Sequence, residues 1–406
     1  MNIVHAHKYY YKRDGASNHM FQIMDLAKDA GHRIIPFSMK DHNNLTHIFE
    51  KFFVSKMDLH DPKKLSFAKK IRFARKMIFN TEAEKNMEKV LEKAKVDIAH
   101  IHNIYHHISP SILPVLKRHK IPVVMTLHDY ALFSPNYTLF HHGKIHEDDK
   151  RFFYLKGMVN KCIKDSFVYS ALAALEMFLQ QDVWKMYKKN IDMFICPSRF
   201  MQKKYKAYGW DGRKSICLPH PIDTKQYALH TEDAGYVAYI GRLSEEKGVM
   251  HMCDLAKRNP KIPYVLVGTG PCEHAIKERI AKEDITNLEL VGFQTGNLLK
   301  KYIQDARIIV LPSLWYENYP LSILEAKAMG KIILGSNIGG IPELLPKECL
   351  FEPGNIEDLD NCVNFWYTSP FTKRQSVGKA FREEVAENNN PDTYRERLLD
   401  IYTQLC

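Results

Sequence analysis

The sequence predicts an α/β protein made of two doubly wound parallel-sheet domains in tandem. Short β-rich runs alternate with helical patterns almost throughout, as parallel strands joined by crossover helices require. At 406 residues the chain is long for one hydrophobic core, so two domains are the default. A proline-containing, polar, weakly patterned run, "PHPIDTKQYALHTEDAG" (Pro219–Gly235), separates two such series and is read as the interdomain linker.

In the first series "NIVHAH" is a strand, and a helix follows from about Ser17 with Gly31 placed to end it. Strands follow at "HRIIPF", "DIAHIH" (Asp97–His102), "IPVVMTLH" (Ile121–His128), "DMFICPS" (Asp192–Ser198) and "KSICLPH" (Lys214–His220). In the second series the strands are "YVAYIG" (Tyr236–Gly241), "IPYVLVG" (Ile262–Gly268), "NLELVG" (Asn287–Gly292), "RIIVLPS" (Arg307–Ser313) and "KIILGS" (Lys331–Ser336). Helical segments make up the tail after about Asn355.

Composition is that of a globular protein, 45% hydrophobic and 26% charged, with a formal charge of +11. That charge suits nucleic acid, an anionic membrane surface or phosphorylated substrates. The N-terminal "MNIVHAHKYYYKRD" is charged too early for a signal peptide. No window reaches the roughly 18 apolar residues of a membrane span; the best, Phe167–Leu179, is short and broken by Glu176. Eight scattered cysteines without a CxxC pair fit reduced thiols, so an intracellular, cytoplasmic protein is expected.

Parallel sheets bind ligands outside the carboxyl ends of their strands. His5, His7, His102, Asn103, His128 and Asp129 fall there in the first series, and Arg242, Gly268, Gly270 and Glu317 in the second. If the two domains face each other, both sets line one cleft. Gly15, in "RDGASNHM", stands between the first strand and its helix, where a glycine admits a phosphate or sugar to the backbone; an ordinary turn glycine is the alternative. No G-x-G-x-x-G occurs, against a dinucleotide fingerprint. In "GRLSEEKG", Arg242 and Lys247 lie five residues apart and suit a diphosphate, or are surface charge balanced by Glu245 and Glu246.

Twenty histidines, with "HIHNIYHH" (His100–His107), raise a metal site. No cysteine or carboxylate completes a tetrahedral set at useful spacing, and no metal is expected. "DLD" (Asp358–Asp360) falls in a late helix away from every strand end and reads as solvated surface. Basic and aromatic residues interleave over Lys51–Phe79, with Phe67, Ile71 and Ile78 at helical spacing and Lys69, Lys70, Arg72, Arg75 and Lys76 over the remaining face. The pattern fits a helix lying on anionic lipid, or one packed on its own domain with a solvated basic face. No nucleic-acid-binding module accompanies the charge.

"SLWYENYPLSILEA" holds Glu317 and Glu325, eight residues apart. Pro320 is suited to the first turn of a helix running about Pro320–Met329, with Gly330 as its stop. Glu317 is then in the loop and Glu325 inside the helix, so the two are not a matched acid and base. The amides of Tyr319, Leu321 and Ser322 would crown the helix N-terminus and favour an anion. A loop charge plus an exposed helix charge is the alternative.

Glu317…Glu325 as E-x7-E, "GRLSEEKG", "YVLVGTGP", "LPSLWYENYPLSILEAKAMGK", "GGIPELL", "TLHDY", "HIHNIYHH", "CPSRFMQKKY" and "LPHPID", in this order and spacing, resemble the family-4 retaining glycosyltransferases of the GT-B fold over essentially the whole chain. The resemblance implies two Rossmann-like domains facing a central cleft: an acceptor-side domain over 1–221, onto which a terminal helix of about 388–406 crosses back, and a nucleotide-sugar domain over 222–387. It implies transfer of a sugar, a hexose first of all, from a nucleoside diphosphate to a glycan or lipid-linked acceptor in cell-surface polysaccharide synthesis. Closure of the cleft would exclude water. By the same resemblance Arg242 and Lys247 contact the donor diphosphate, Glu325 the ribose, and Glu317 the transferred sugar. Asn318, Tyr319, Leu321 and Ser322 bind phosphate and sugar oxygens. His128 lies over the sugar from the acceptor side, and Gly15 lets the first domain approach the donor. No metal or other cofactor is implied, since arginine, lysine and a helix N-terminus do the work of a cation.

Two departures stand out. Gly15 is followed by Ala16 where many members have two glycines. The insert "FHHGKIHEDDKRFFYLKGMVNKCIKD" keeps only Cys162 where relatives often carry several cysteines, which argues against a metal or disulfide role there. The competing readings are a GT-B-fold nucleotide-sugar epimerase and a catalytically silent membrane-docking or glycan-binding subunit. Peripheral contact with the inner membrane face through 51–79 belongs to the expectation; nucleic acid does not. The base, sugar, acceptor, linkage and oligomeric state are not legible in the sequence.

Overall fold

The computed structural model describes residues 1–57, 66–147, 154–230 and 232–406. Part of the basic stretch 51–79, with Lys63 and Lys64, and residues 148–153 of the insert fall outside the described residues, as do the side chains of Phe67, Lys69 and Lys70. The chain divides into two compact units, one of residues 1–139, 146–218 and 392–406, the other of 140–145 and 219–391.

In the first unit the elements run β1 (Asn2–Ala6), α1 (Gly15–Asp29), β2 (Arg33–Phe37), α2 (Phe67–Ile78), α3 (Thr81–Lys93), β3 (Ile98–Ile101), α4 (Ile112–Arg118) and β4 (Val123–Thr126). After a short hairpin, β5 (Phe140–His141) and β6 (Lys144–Ile145), which falls in the second unit, come α5 (Tyr154–Val159), α6 (Phe167–Met177), α7 (Met186–Asn190), β7 (Met193–Cys196), α8 (Arg199–Ala207) and β8 (Ser215–Cys217). Six strands form one sheet in the order β2-β1-β3-β4-β7-β8, every pair parallel. β1, β3 and β4 are buried almost end to end, as strands covered on both faces must be. Helix α1 starts at Gly15, two residues before the expected Ser17. Asp14 caps it by accepting from the Ser17 amide while the Ser17 hydroxyl accepts from the Asp14 amide.

The second unit runs β9 (Tyr236–Ile240), α9 (His251–Arg258), β10 (Tyr264–Val267), α10 (Glu273–Lys282), β11 (Leu288–Gly292), α11 (Gly296–Asp305), β12 (Ala306–Leu311), α12 (Leu321–Ala328), β13 (Ile332–Ser336) and β14 (Leu350–Phe351). Helices α13 (Ile356–Thr368), α14 (Phe371–Asn388) and α15 (Pro391–Leu405) complete the chain. Its sheet, β11-β10-β9-β12-β13-β14, is also parallel throughout. This is the doubly wound order whose direction of winding reverses between the first and fourth strands, here β9 and β12. The edge strand β14 is two residues long and carries too little pattern to be read from sequence.

Helix α15 belongs with the first unit: Tyr394, Leu398, Ile401 and Tyr402 join Ile3, Met20, Ile23 and Ile98 in its core. Helix α2 does form, but its apolar side is divided. Ile71 is exposed while Met77 and Ile78 are half-buried, and Gln180 donates to the Met77 and Ile78 carbonyls. Glu176, which interrupts the apolar run 167–179, is buried against the His106 ring at 3.0 Å.

Candidate functional site

In the second unit the loops leaving β9 and β12 sit side by side at the reversal point of the sheet, where such folds open a crevice. They approach as closely as backbones can. A Cβ on Gly248 would come within 1.9 Å of the Pro312 carbonyl oxygen, and Gly248 has φ +64°; only glycine meets both demands. The Leu314 amide donates to the Glu246 carbonyl at 2.9 Å, tying one loop to the other.

That approach brings Lys247 to Glu317. The ammonium is 2.6 Å from Oε1 of Glu317, which also accepts from the Ser313 hydroxyl at 2.7 Å, and the same ammonium lies 5.0 Å from the centre of the Trp315 ring. Glu317 is 4% exposed. Burial by itself would raise its carboxyl; the Lys247 charge and the hydrogen bonds from Lys247 and Ser313 outweigh that and hold it below the ordinary glutamate range. Arg242 differs. Its carbonyl accepts from the Tyr239 hydroxyl at 2.6 Å, while its exposed guanidinium makes no hydrogen bond or ion pair among the described residues. The two cations of "GRLSEEKG" are therefore unlike: one is already committed to a carboxylate, and the other is open to an anion.

The loop from Glu317 to Pro320 is braced from behind. Gly340 donates its amide to the Glu317 carbonyl at 2.7 Å, and a Cβ there would stand 1.9 Å from the Asn318 oxygen. Pro320 is not in the first turn of α12, as its chemistry suggests, but is the N-cap, with φ −70° and ψ 118°; that extended ψ ends the loop and the helix starts at Leu321. The amides of Leu321 and Ser322 have no acceptor among the described residues, as expected of the first helical donors. The Tyr319 hydroxyl accepts from Nδ2 of Asn389 at 2.9 Å, and its ring meets that of His220 in a T-shaped contact, so its side chain anchors the loop.

Glu325 lies in the second turn of α12. The alternative of an exposed helix charge does not hold: the residue is half-buried, and the Tyr227 hydroxyl donates to its carboxylate at 3.5 Å. Burial pushes it up to about 7, against the smaller pull of the Tyr227 hydrogen bond and the Lys300 charge.

In the first unit His128 follows β4 and is half-buried. Its Nε2 is 3.0 Å from Nδ1 of His102, whose Nε2 is 3.3 Å from Nδ1 of His5. The neighbouring Asp129 accepts from Asn103 and from the Ala131 amide, both at 3.0 Å, and burial raises its carboxyl. Gly15 is not in the βα turn, as expected, but is the first residue of α1, and it is not among the glycines of positive φ. The capping pair Asp14 and Ser17 has moved the helix start back onto it.

The structure thus joins Lys247 with Glu317 and places Arg242, Asn318, Tyr319, Leu321 and Ser322 around the same reversal point, with Glu325 one turn into α12. His128 and Gly15 belong to the other unit. Sequence reasoning missed Ser313, Tyr227 and the bracing by Gly340 and by Gly339, where a Cβ would stand 2.4 Å from the Glu317 carbonyl oxygen. Only the last had a signal, the paired glycines of "GGIPELL".

Family models and known proteins match both halves of the chain. The model of "Glycosyltransferase Family 4" matches residues 13–226, and that of "Glycosyl transferases group 1" matches residues 223–384. The Escherichia coli UDP-Gal:alpha-D-GlcNAc-diphosphoundecaprenol alpha-1,3-galactosyltransferase is 30% identical over 363 residues, 86% of this chain and 85% of its own. An uncharacterized 42.6 kDa protein of the Klebsiella pneumoniae cps region is 24% identical over 376 residues, 89% and 92% of the two chains. Among solved structures, HepE of Anabaena in complex with UDP and glucose superposes with a TM-score of 0.70 over 100% of both chains at 15% identity.

Proposed function

The chain belongs to glycosyltransferase family 4, and from that premise we propose that it moves a hexose, with retention of anomeric configuration, from a nucleoside diphosphate to a glycan or lipid-linked acceptor in cell-surface polysaccharide synthesis. The observation that carries this reading is the Lys247–Glu317–Ser313 cluster beside an exposed Arg242, at the reversal point of a doubly wound sheet.

As the bond from the anomeric carbon to the diphosphate oxygen breaks, negative charge grows on the departing diphosphate and positive charge on the sugar. Arg242 and Lys247 face the first, with the amides of Leu321 and Ser322 adding donors; Glu317, kept ionised by Lys247, faces the second. Glu325 receives the ribose hydroxyls, and Asn318 and Tyr319 shape the phosphate and sugar pocket. His128 and Gly15 act from the acceptor-side unit. No metal is assigned to the transfer, because these cations and amides supply the charge. A UDP-sugar is favoured as donor, since the Escherichia coli relative is named for UDP-Gal and HepE is seen with UDP. A lipid-linked acceptor is favoured by that relative's diphosphoundecaprenol substrate.

Such an acceptor would be met at the inner face of the cytoplasmic membrane. Among the described residues no helix is long and apolar enough to cross a membrane. Helices α5 and α6 expose Leu155, Val159, Phe167, Val168 and Leu175 with exposed Lys156, Lys161 and Lys164 among them. Apolar side chains within a basic frame suit peripheral contact with anionic lipid, and this face extends the expected contact through 51–79.

A thermal-shift panel of nucleoside diphosphates and their sugars tests the donor reading, because a bound ligand stabilises the folded state by mass action. A shift with one base and loss of turnover in Arg242→Ala, Lys247→Ala and Glu317→Ala are expected. A silent subunit would keep its biological activity in all three variants, and an epimerase would form product from the donor alone.

A further inference from the structure

The carboxyl ends of β1, β3 and β4 gather more histidine than sugar transfer uses. His5, His19, His100 and His102 are each 1% exposed or less; His128 alone of this group reaches solvent. Two overlapping triads offer one nitrogen per ring within 4.8 Å of one another: His5 with His100 and His102, and His19 with His102 and His128. They are not equivalent. Both nitrogens of His100 are engaged, by the Tyr402 hydroxyl at 2.5 Å and the Thr126 hydroxyl at 2.7 Å, which makes the first triad a packed, hydrogen-bonded core. In the second, the two buried rings are oriented from behind. Nε2 of His19 lies 3.1 Å from the Tyr394 hydroxyl, and Nε2 of His102 lies 3.3 Å from Nδ1 of His5.

We propose that His19, His102 and His128 form a site for one divalent ion of the zinc type, bound through Nδ1 of His19, Nδ1 of His102 and Nε2 of His128, with solvent in the fourth position. Three imidazoles without a carboxylate or thiolate select Zn²⁺, Co²⁺, Ni²⁺ or Cu²⁺ over Mg²⁺ and Ca²⁺. Nδ1 of His102 and Nε2 of His128 are 3.0 Å apart, and ligands at about 2.05 Å in a tetrahedral site stand about 3.3 Å apart, so this pair needs a few tenths of an ångström of opening, while the His19 nitrogen lies within 4.8 Å of both. Tyr394 and His5 occupy the positions of the outer partners that orient ligating histidines. Each ring keeps its single proton on the nitrogen facing away from the ion. No two of these ligands are close in sequence, since they come from α1 and from the ends of β3 and β4.

Occupancy has a consequence that rests on the proposed role of His128: an ion held there withdraws the ring from the acceptor side and inhibits transfer, so the site is regulatory and not part of the chemistry. The test is titration of the full, EDTA-treated chain with Co²⁺, followed by visible absorption. One saturating equivalent with the intense d–d bands of a four-coordinate nitrogen site, displaced by Zn²⁺, is expected. His128→Gln is expected to weaken binding at least tenfold while melting like the parent in EDTA, and His19→Gln to weaken binding as much where the variant folds. His19→Gln and His102→Gln each remove a wholly buried ring and can fail to fold, so His128→Gln decides the matter. No saturable equivalent, or bands that survive His128→Gln, overturns the site. Stoichiometric binding without loss of transfer leaves the ion site standing and overturns the role of His128.

Discussion

Replacing Lys247 by methionine strands the Glu317 carboxylate in its buried position without a counter-charge, leaving only neutral donors such as the Ser313 hydroxyl beside it. Removing one member of a buried ion pair costs about 3–5 kcal/mol. Lys247 is 22% exposed and Glu317 6%, so water reaches part of the pair and the lower end, about 3 kcal/mol, applies. For a unit of this size each kcal/mol moves the melting temperature by about 2–4 °C, giving a fall of roughly 10 °C at neutral pH. The pH dependence changes sign. In the parent, Glu317 is held below its unfolded value, so its contribution is present above the ordinary glutamate range and is lost as pH falls through the lowered value. Without Lys247, burial raises the carboxyl, and the variant recovers stability on acidification. The double variant Lys247→Met, Glu317→Gln should melt well above the single one and still fail to bind the nucleotide sugar, because the donor contacts are gone. Calorimetry from pH 4 to 8, paired with the nucleotide panel, reads both. Equal melting of the single and double variants would refute the account of a carboxylate made tolerable by its lysine.

Three further outcomes follow from the same geometry. Glu325, raised to about 7, makes the folded state bind the extra proton, so stability falls as pH rises from about 4.5 to 7; Glu325→Gln should flatten that slope and weaken donor binding, read by urea melts and thermal shift. Gly340→Ala drives a Cβ to 1.9 Å from the Asn318 oxygen and should cost about 1–3 kcal/mol, with at least tenfold weaker donor binding as the Glu317 loop is displaced. Val159→Asp with Phe167→Asp should abolish co-sedimentation with anionic vesicles while leaving the nucleotide-induced shift intact; unchanged sedimentation counts against the α5–α6 face.

Strand placement was legible in the sequence because both sheets are parallel and covered on both faces, so each strand is a compact apolar run closed by a polar residue or glycine. "YVAYIG" and "RIIVLPS" run one and two residues past the ends of β9 and β12; Arg242 follows the first at once, and Glu317 lies in the loop after the second. Helix starts were less legible, since they depend on which local acceptor wins: Asp14 and Ser17 drew α1 back onto Gly15, and Pro320 became a cap and not a first turn. The two-residue strand β14 had no pattern to read.

The sequence by itself determined the alternation of strand and helix, the order of the motifs, and therefore which side chains stand at strand ends. It could not determine their partners, because these come from across the fold. Lys247 meets Glu317 because a glycine lets two loops touch, Glu325 is raised because α12 turns it inward, and His19, His102 and His128 converge from α1, β3 and β4. Pattern and spacing act along the chain, whereas desolvation, ion pairing and ligation act through space, and only the tertiary structure sets those distances.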